Sequence, residues 1–216
     1  MELLSYAIAA IGAYFLGSIP TGFLVARAKG VDIRTVGSGN IGATNVFRIL
    51  GKPAGVFVLA VDALKGWLAC RLVANLAYAW FVGASTAAGV SVEHLSIIAG
   101  VFAVLGHNYT CWLRFKGGKG IATSAGVLVA LVPWALLIIF VVWVIVFTLT
   151  RYVSLASISA AFTLPFAVWV TQGSIMLIAI TASMSVLAIY KHRGNIQRLL
   201  HGTEPRLGSA KSQSMP

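Results

Sequence analysis

From Gly120 to Thr150 the chain carries no charged side chain. One straight helix needs about 20 residues to cross a hydrocarbon core of about 30 Å, so this stretch is too long for a single crossing. Pro133 lies inside it, where a missing N–H and a clashing ring favour a break. Five further apolar runs stand beside it: Leu3–Ala26, Pro53–Val82, Val92–Tyr109, Val153–Thr171 and Ser174–Tyr190. Divided at Pro133, the set becomes seven membrane segments, the fourth of them short. The expected fold class is an all-α membrane protein, a seven-helix transmembrane bundle. Composition agrees, with 59% hydrophobic residues, 10% charged ones and a mean hydropathy of +0.91. A single soluble core cannot hide that much apolar surface, which excludes a soluble enzyme, a secreted disulfide scaffold and a disordered chain. Cys70 and Cys111 sit in or beside apolar runs without framework spacing and are expected as free thiols.

The charges test the segment count independently. Lys and Arg gather in cytoplasmic loops, and this chain has 16 of them against 5 Asp and Glu. With seven spans and the N-terminus outside, the first inner loop holds Arg27, Lys29, Arg34, Arg48 and Lys52. The second holds Arg114, Lys116 and Lys119, the third Arg151, and the C-terminal tail Lys191, Arg193, Arg198, Arg206 and Lys211. All the basic residues except Lys65 and Arg71 then share one face, and the C-terminus is cytoplasmic. Six spans would place the basic tail opposite the other loops. The first run is expected as an uncleaved helix, because Glu2 and no Lys or Arg precede it. No internal repeat or linker is visible, so residues 1–207 are expected to form one domain. The Ser-rich residues 208–216 are expected to be disordered.

Three polar islands lie on that basic face. The first reads Gly37-Ser38-Gly39-Asn40-Ile41-Gly42-Ala43-Thr44-Asn45-Val46-Phe47-Arg48. It matches the glycine pattern of dinucleotide-binding folds in form only, since a membrane helix rather than a strand precedes it. The physics under that pattern survives. Close glycines let backbone N–H groups converge on an anion, Ser38, Asn40 and Thr44 add short donors, and Arg48 adds an always-charged fork. A plain flexible connector would explain the glycines but not the donors beside them.

The second island is Gly106-His107-Asn108, followed by Arg114-Phe115-Lys116-Gly117-Gly118-Lys119-Gly120-Ile121-Ala122-Thr123. Its glycines lack the spacing of a nucleotide-binding P-loop, and Gly120 stands where the magnesium-holding hydroxyl would be. Lysine and glycine before an apolar helix still make an anion site, because the helix dipole adds to the charge. Headgroup anchoring alone would explain Arg114, Lys116 and Lys119 but not the glycines.

The third island follows the last span: His192-Arg193-Gly194-Asn195-Ile196, then Arg198, Gly202 and Glu204. Surface anchoring accounts for Arg193 and Arg198. It does not require His192 and Asn195, which are read as functional. Asp62 and Lys65, three apart within the second span, are adjacent on one helix face and are read as a structural pair, with a loop arginine as a further partner for Asp62.

Together these blocks resemble the signature motifs of the bacterial acyl-phosphate:glycerol-3-phosphate acyltransferases, a family of small multi-pass inner-membrane enzymes. The likeness runs through residues 17–22, the Ser38–Asn45 block with Arg48, Gly51-Lys52, Asp62 to Gly66, Gly106-His107-Asn108, Phe115 to Thr123, and His192 to Ile196 with Gly202 and Glu204. Two positions depart from it: Thr110 stands where proline is common, and Gly194 where an acidic residue is common. The resemblance implies transfer of an acyl group from acyl phosphate to the 1-hydroxyl of sn-glycerol 3-phosphate. The products would be lysophosphatidic acid and inorganic phosphate, in the first acylation of phospholipid synthesis at the cytoplasmic face of the inner membrane. It also implies an upstream enzyme that forms the acyl phosphate, and it brings no cofactor. Under this reading Ser38, Gly39, Asn40, Thr44, Asn45, Arg48, Lys116, Gly117, Gly118 and Lys119 bind substrate. Ser38, Lys119, His192 and Asn195 act in catalysis, and Asp62, Lys65 and Glu204 are structural. No cluster of metal ligands is expected.

The better-known glycerolipid acyltransferases place Asp five residues after a catalytic His. Here the residues five after His94, His107, His192 and His201 are Ala99, Trp112, Gln197 and Arg206, so that arrangement is absent. The rival from another class is a transporter of a phosphorylated anion, which would want polar residues deep in several spans. A membrane-anchored nucleic-acid binder is disfavoured by the shortage of aromatics among the basic loops.

Overall fold

The computed structural model describes residues 2–81 and 90–208. Residues 209–216, most of the expected disordered tail, lie outside the described residues. All regular structure among the described residues is helical, and the chain divides after Leu131 into two compact units. That division falls beside Pro133, which ends the short fourth run and begins the next helix.

The first unit opens with α1 (Glu2–Ser18) and α2 (Thr21–Ala28), followed by α3 (Ala43–Leu50), α4 (Lys52–Leu68), a π-helical turn (Ala69–Val73) and α5 (Ala74–Phe81). It ends with α6 (Val92–Asn108), a 3₁₀ turn (Cys111–Leu113) and α7 (Ile121–Leu131). α1 packs on α6 and α4 on α7. The second pairing depends on small residues: a Cβ on Gly66 would collide with Thr123 O, and one on Gly126 with Ala63 O. Without side chains at these positions the two backbones close together, the usual way helices associate in lipid.

The second unit holds α8 (Pro133–Thr150), α9 (Val153–Gln172), α10 (Ile175–Lys191) and α11 (Arg193–Leu200). α9 packs against both α8 and α10. α8 begins with proline at its first turn, where no intrahelical N–H is needed. Of its 18 residues only Ala135 and Ile139 are buried, and the rest are apolar except Thr148 and Thr150, whose hydroxyls bond the helix's own carbonyls, as lipid contact requires.

Four helical segments among the described residues are long and apolar enough to cross a membrane: Glu2–Ala28, Val92–Leu113, Pro133–Thr150 and Val153–Gln172. A fifth is available if α10 and α11, bent by 56° at His192, count as one span. The chain is a multi-pass membrane protein. The segment from Lys52 to Phe81 is interrupted by Asp62, Lys65 and Arg71, and α7 has only 11 residues.

The first apolar run, expected as one helix over Leu3–Ala26, is broken at Ile19-Pro20. Pro20 cannot donate to the preceding turn, and neighbours take up the carbonyls around the break. Lys65 Nζ donates to Ile19 O at 3.0 Å and Thr110 Oγ1 to Ser18 O at 2.6 Å. Thr110, one of the two departures from the family pattern, therefore has a structural task of its own.

Candidate functional site

The first island is shaped by one buried amide. Asn45, on the first turn of α3, is 2% exposed. Its Oδ1 accepts from Ser38 N at 3.0 Å, and its Nδ2 faces the carbonyls of Ile33, Val36 and Asn40 at 3.3, 3.2 and 2.9 Å. Asn40 Oδ1 in turn accepts from Gly42 N at 2.9 Å. A segment with no regular structure is thus folded around an amide that supplies both donor and acceptor. Gly37 and Gly39 turn the loop at φ 59° and 66°, a region open to glycine at little cost. Ser38 and Gly39 are exposed on the outside of this turn, while Asn40, Thr44 and Arg48 are half-buried. Thr44 and Arg48 are one turn apart on α3 and share a face.

The second island packs against the first. Leu113 shares an apolar cluster with Ile33, Ile41 and Val46, joined by Ala26 of α2 and Val58 of α4. The two basic loops of the first unit therefore rest on one core. The Gly-Gly-Lys-Gly strip then runs back along the end of α6. Gly117 N donates to Asn108 O at 3.2 Å and Gly118 N to His107 O at 3.0 Å. A side chain at Gly118 would collide with His107 Nε2. These N–H groups, expected to form an anion nest, close the C-terminal end of α6 instead. The strip's positive charge comes from exposed Lys116 and half-buried Lys119.

Beneath the strip lies a buried ionic junction. Asp62 Oδ1 is 2.8 Å from Lys65 Nζ, accepts from Thr21 Oγ1 at 3.1 Å, and stands 3.7 Å from His107 Nδ1. The Asp62–Lys65 pair was legible from its spacing. Thr21 and His107 were not, being 41 and 45 positions away from Asp62. Each group here has partners, as buried charged groups require.

The third island belongs to the second unit and is organised by Glu204. Glu204 Oε1 accepts from Asn195 Nδ2 at 2.6 Å and Ser154 Oγ at 2.7 Å, and Oε2 from Arg198 Nε at 2.7 Å. Burial pushes this carboxyl's pKa up, but the bonds from Ser154, Asn195 and Arg198 outweigh it and hold it below the ordinary glutamate value. His192 is buried at the bend between α10 and α11, with Nδ1 2.8 Å from Ala188 O. A carbonyl can only accept, so Nδ1 carries the proton and Nε2 is the basic nitrogen of the neutral ring. Ser154 is the member that sequence reading missed, since nothing marks one serine of an apolar helix from another. Among the described residues, no three His, Cys, Asp or Glu side chains cluster so as to hold a metal ion.

A family model described as glycerol-3-phosphate acyltransferase matches residues 7–202. The glycerol-3-phosphate acyltransferase of Geotalea daltonii is 46% identical over 194 residues, covering 90% of this chain and 93% of the relative. That of Synechococcus sp. strain JA-2-3B'a(2-13) is 43% identical, covering 98% of this chain and all of the relative. Among solved structures, PlsY (YgiH), an integral membrane glycerol 3-phosphate acyltransferase in its glycerol 3-phosphate form, superposes with a TM-score of 0.82. It is 42% identical and covers 96% of this chain and 98% of its own. The lysophosphatidic acid form of the same protein gives a TM-score of 0.79 at 41% identity. The long motif blocks, the helical membrane architecture and similarity along nearly the whole length lead to one conclusion: this chain is an acyltransferase and belongs to the glycerol-3-phosphate acyltransferase family.

Proposed function

We propose that this acyltransferase takes its acyl group from acyl phosphate and delivers it to the 1-hydroxyl of sn-glycerol 3-phosphate, releasing lysophosphatidic acid and inorganic phosphate. The observation that carries this reading is the likeness to a solved relative described in both a glycerol 3-phosphate form and a lysophosphatidic acid form. These two ligands differ by one acyl group. The donor is inferred from the motif resemblance and from the chemistry: an acyl phosphate is already activated, so no covalent protein intermediate is needed.

In this mechanism the acceptor hydroxyl attacks the acyl carbonyl. A new C–O ester bond forms, the hydroxyl proton leaves, and the carbonyl–phosphate C–O bond breaks with its electron pair passing to phosphate. Lys116 and Lys119 stabilise the charge that builds on the phosphate and the oxyanion. Gly117 and Gly118 allow the strip its close approach. Ser38, Gly39, Asn40, Thr44 and Arg48 hold a substrate phosphate, contributing orientation. Asn45, whose amide is bonded to its own loop, serves that binding by fixing the loop's shape. His192 accepts the hydroxyl proton at Nε2, the role its tautomer suits, and Asn195 is held for its part by Glu204.

The same reading sets the enzyme in the bacterial inner membrane with seven spans, the N-terminus outside and the C-terminus cytoplasmic. The basic loops then lie on the face where glycerol 3-phosphate is met. Residues 1–207 act as one acyltransferase domain, supplied by an upstream enzyme that makes acyl phosphate. The deciding experiment gives the purified protein acyl phosphate and glycerol 3-phosphate, and measures lysophosphatidic acid and released phosphate. Stoichiometric formation of both is expected. No turnover, together with glycerol-phosphate uptake into sealed vesicles, would favour the transporter reading. Replacing His192 with Gln keeps a polar side chain without the basic nitrogen, and near-native turnover would remove His192 from the base role.

A further inference from the structure

The turn between α6 and the glycine strip has a conformation that the proposed chemistry does not explain. Arg114 and Phe115 both adopt positive φ, at 53° and 60°, in direct succession. This region is costly for side chains other than glycine, and a bulky aromatic is an outlier there. The turn is nevertheless firmly built. Leu113 N and Phe115 N both donate to Thr110 O, at 3.3 and 2.9 Å, and Lys116 N donates to Leu113 O at 3.1 Å. Thr110 itself is tied to Ser18 O, and Leu113 is buried in the core of the first unit. Between and beyond these fixed points Trp112 and Phe115 project outward, each 63% exposed, with Arg114 and Lys116 exposed beside them.

We infer that residues Trp112–Lys116 form a rigid platform that binds an anionic phospholipid of the surrounding bilayer, with Trp112 and Phe115 set at headgroup depth and Arg114 on the lipid phosphate. Four observations meet here. The turn ends a helix that qualifies as a membrane span, Val92–Leu113, so it emerges at the membrane surface. Tryptophan and phenylalanine beside arginine and lysine match a layer that is apolar below and negatively charged above. The charge selects an anionic lipid over a zwitterionic one. The strained backbone at Arg114 and Phe115 holds the Phe115 ring outward beside exposed Trp112, which brings no gain in water but places both rings well in an interface. Because Gly117–Lys119 continues directly from the platform, a bound lipid would steady the strip that carries the basic side chains.

Native mass spectrometry of the detergent-purified protein, mixed with equal amounts of phosphatidylglycerol and phosphatidylcholine, tests this without relying on turnover. A failure of the proposed reaction would therefore leave this readout intact. The native chain should retain phosphatidylglycerol preferentially. Arg114→Gln should lower that retention about fivefold, the worth of one basic residue at an anionic surface, and Arg114→Lys should largely restore it. Phe115→Gly separates binding from folding, since glycine relieves the backbone while removing the ring. It should keep or raise the melting temperature while losing lipid. Equal retention of the two lipids by the native chain, or unchanged phosphatidylglycerol retention in both Arg114→Gln and Phe115→Gly, would overturn the inference.

Discussion

In the first unit a neutral amide holds the polar loop together, whereas in the second a carboxylate does the same work. Asn45 binds the backbone of residues 33–40, all within 12 positions of itself, and its bonds carry no net charge. Glu204 gathers side chains instead: Ser154 from α9, 50 positions away, and Asn195 and Arg198 from α11. The first arrangement fixes the shape of one loop. The second fixes the relation between separate elements and depends on ionisation. Local irregular backbone is best satisfied by an amide, which donates and accepts at once. Three converging donors are best met by a group that only accepts.

The largest effect should come from removing the acceptor. Glu204→Ala leaves the buried Asn195 amide and Ser154 hydroxyl facing no carboxylate and strips Arg198 of its ion partner. Two buried neutral groups left without a partner, with the charge-assisted bonds they made, cost about 4 kcal/mol, so a large fall in melting temperature and loss of turnover are expected. Glu204→Gln keeps the shape but offers an amide, and should recover only part of both. A near-native melting temperature for Glu204→Ala would show that α11 and the tail are held by something else.

Asn45→Ala should come next. It leaves Ser38 N and the carbonyls of Ile33, Val36 and Asn40 without the amide, a loss of about 2 kcal/mol, because only the Ile33 bond is fully buried and the other groups lie nearer water. Its effect should fall on substrate binding, as a raised KM for glycerol 3-phosphate, because only the loop's shape changes. Asn45→Asp sharpens the contrast between the units. It keeps the acceptor for Ser38 but turns an oxygen toward three carbonyl oxygens, and should be worse than alanine. Were Asn45→Asp harmless, the amide would not be the organiser the hydrogen bonds indicate.

Proton titration separates the two devices within one molecule. The pKa of Glu204 is lowered in the folded chain, so its contribution is complete above the ordinary glutamate value of about 4.3 and is lost as pH falls through the lower folded value. The Asn45 bonds do not titrate in this range. Asp32 in the same loop is held down to about 2 by its hydrogen bonds from Arg34, so it too stays ionised. Acidification below the ordinary glutamate value should therefore speed hydrogen exchange at the amides of Thr203 and Glu204, which donate to Arg198 O, before it affects Ser38. Simultaneous exchange at both places would contradict the distinction.

The contrast also explains what could be read in the sequence. Apolar runs, the break at Pro133 and the Asp62–Lys65 spacing are local properties and were legible. The break at Pro20 was not, although proline is visible, because it is completed by Lys65 of α4 and by Thr110 in the turn after α6, both distant in sequence. The π-helical turn at Ala69–Val73 has no proline or glycine to announce it. There Ser96 Oγ of α6 donates to Cys70 O at 2.9 Å, a contact made only in the folded chain. The motif residues stand out in the sequence as a set, but the contacts each one makes depend on geometry. Asn45 proved to bind its own loop, and the N–H groups of Gly117 and Gly118 to close α6.

The smallest effect is expected from Ser154→Ala, and it is the finest test of how Glu204 works. The serine supplies one of two donors to Oε1, and the other, Asn195, remains. Losing one neutral donor to a charged acceptor costs about 2 kcal/mol or less, well under the loss of the acceptor itself. Turnover should fall modestly, since Asn195 is still held. The pH response should move more distinctly: with one hydrogen bond to the ionised form gone, the Glu204 pKa rises, and tail exchange should begin at higher pH than in the native chain. An unchanged pH onset with lowered stability would mean that Ser154 only fills space between α9 and the tail. A shifted onset would mean that its hydroxyl helps keep Glu204 ionised, and through it keeps Asn195 in place.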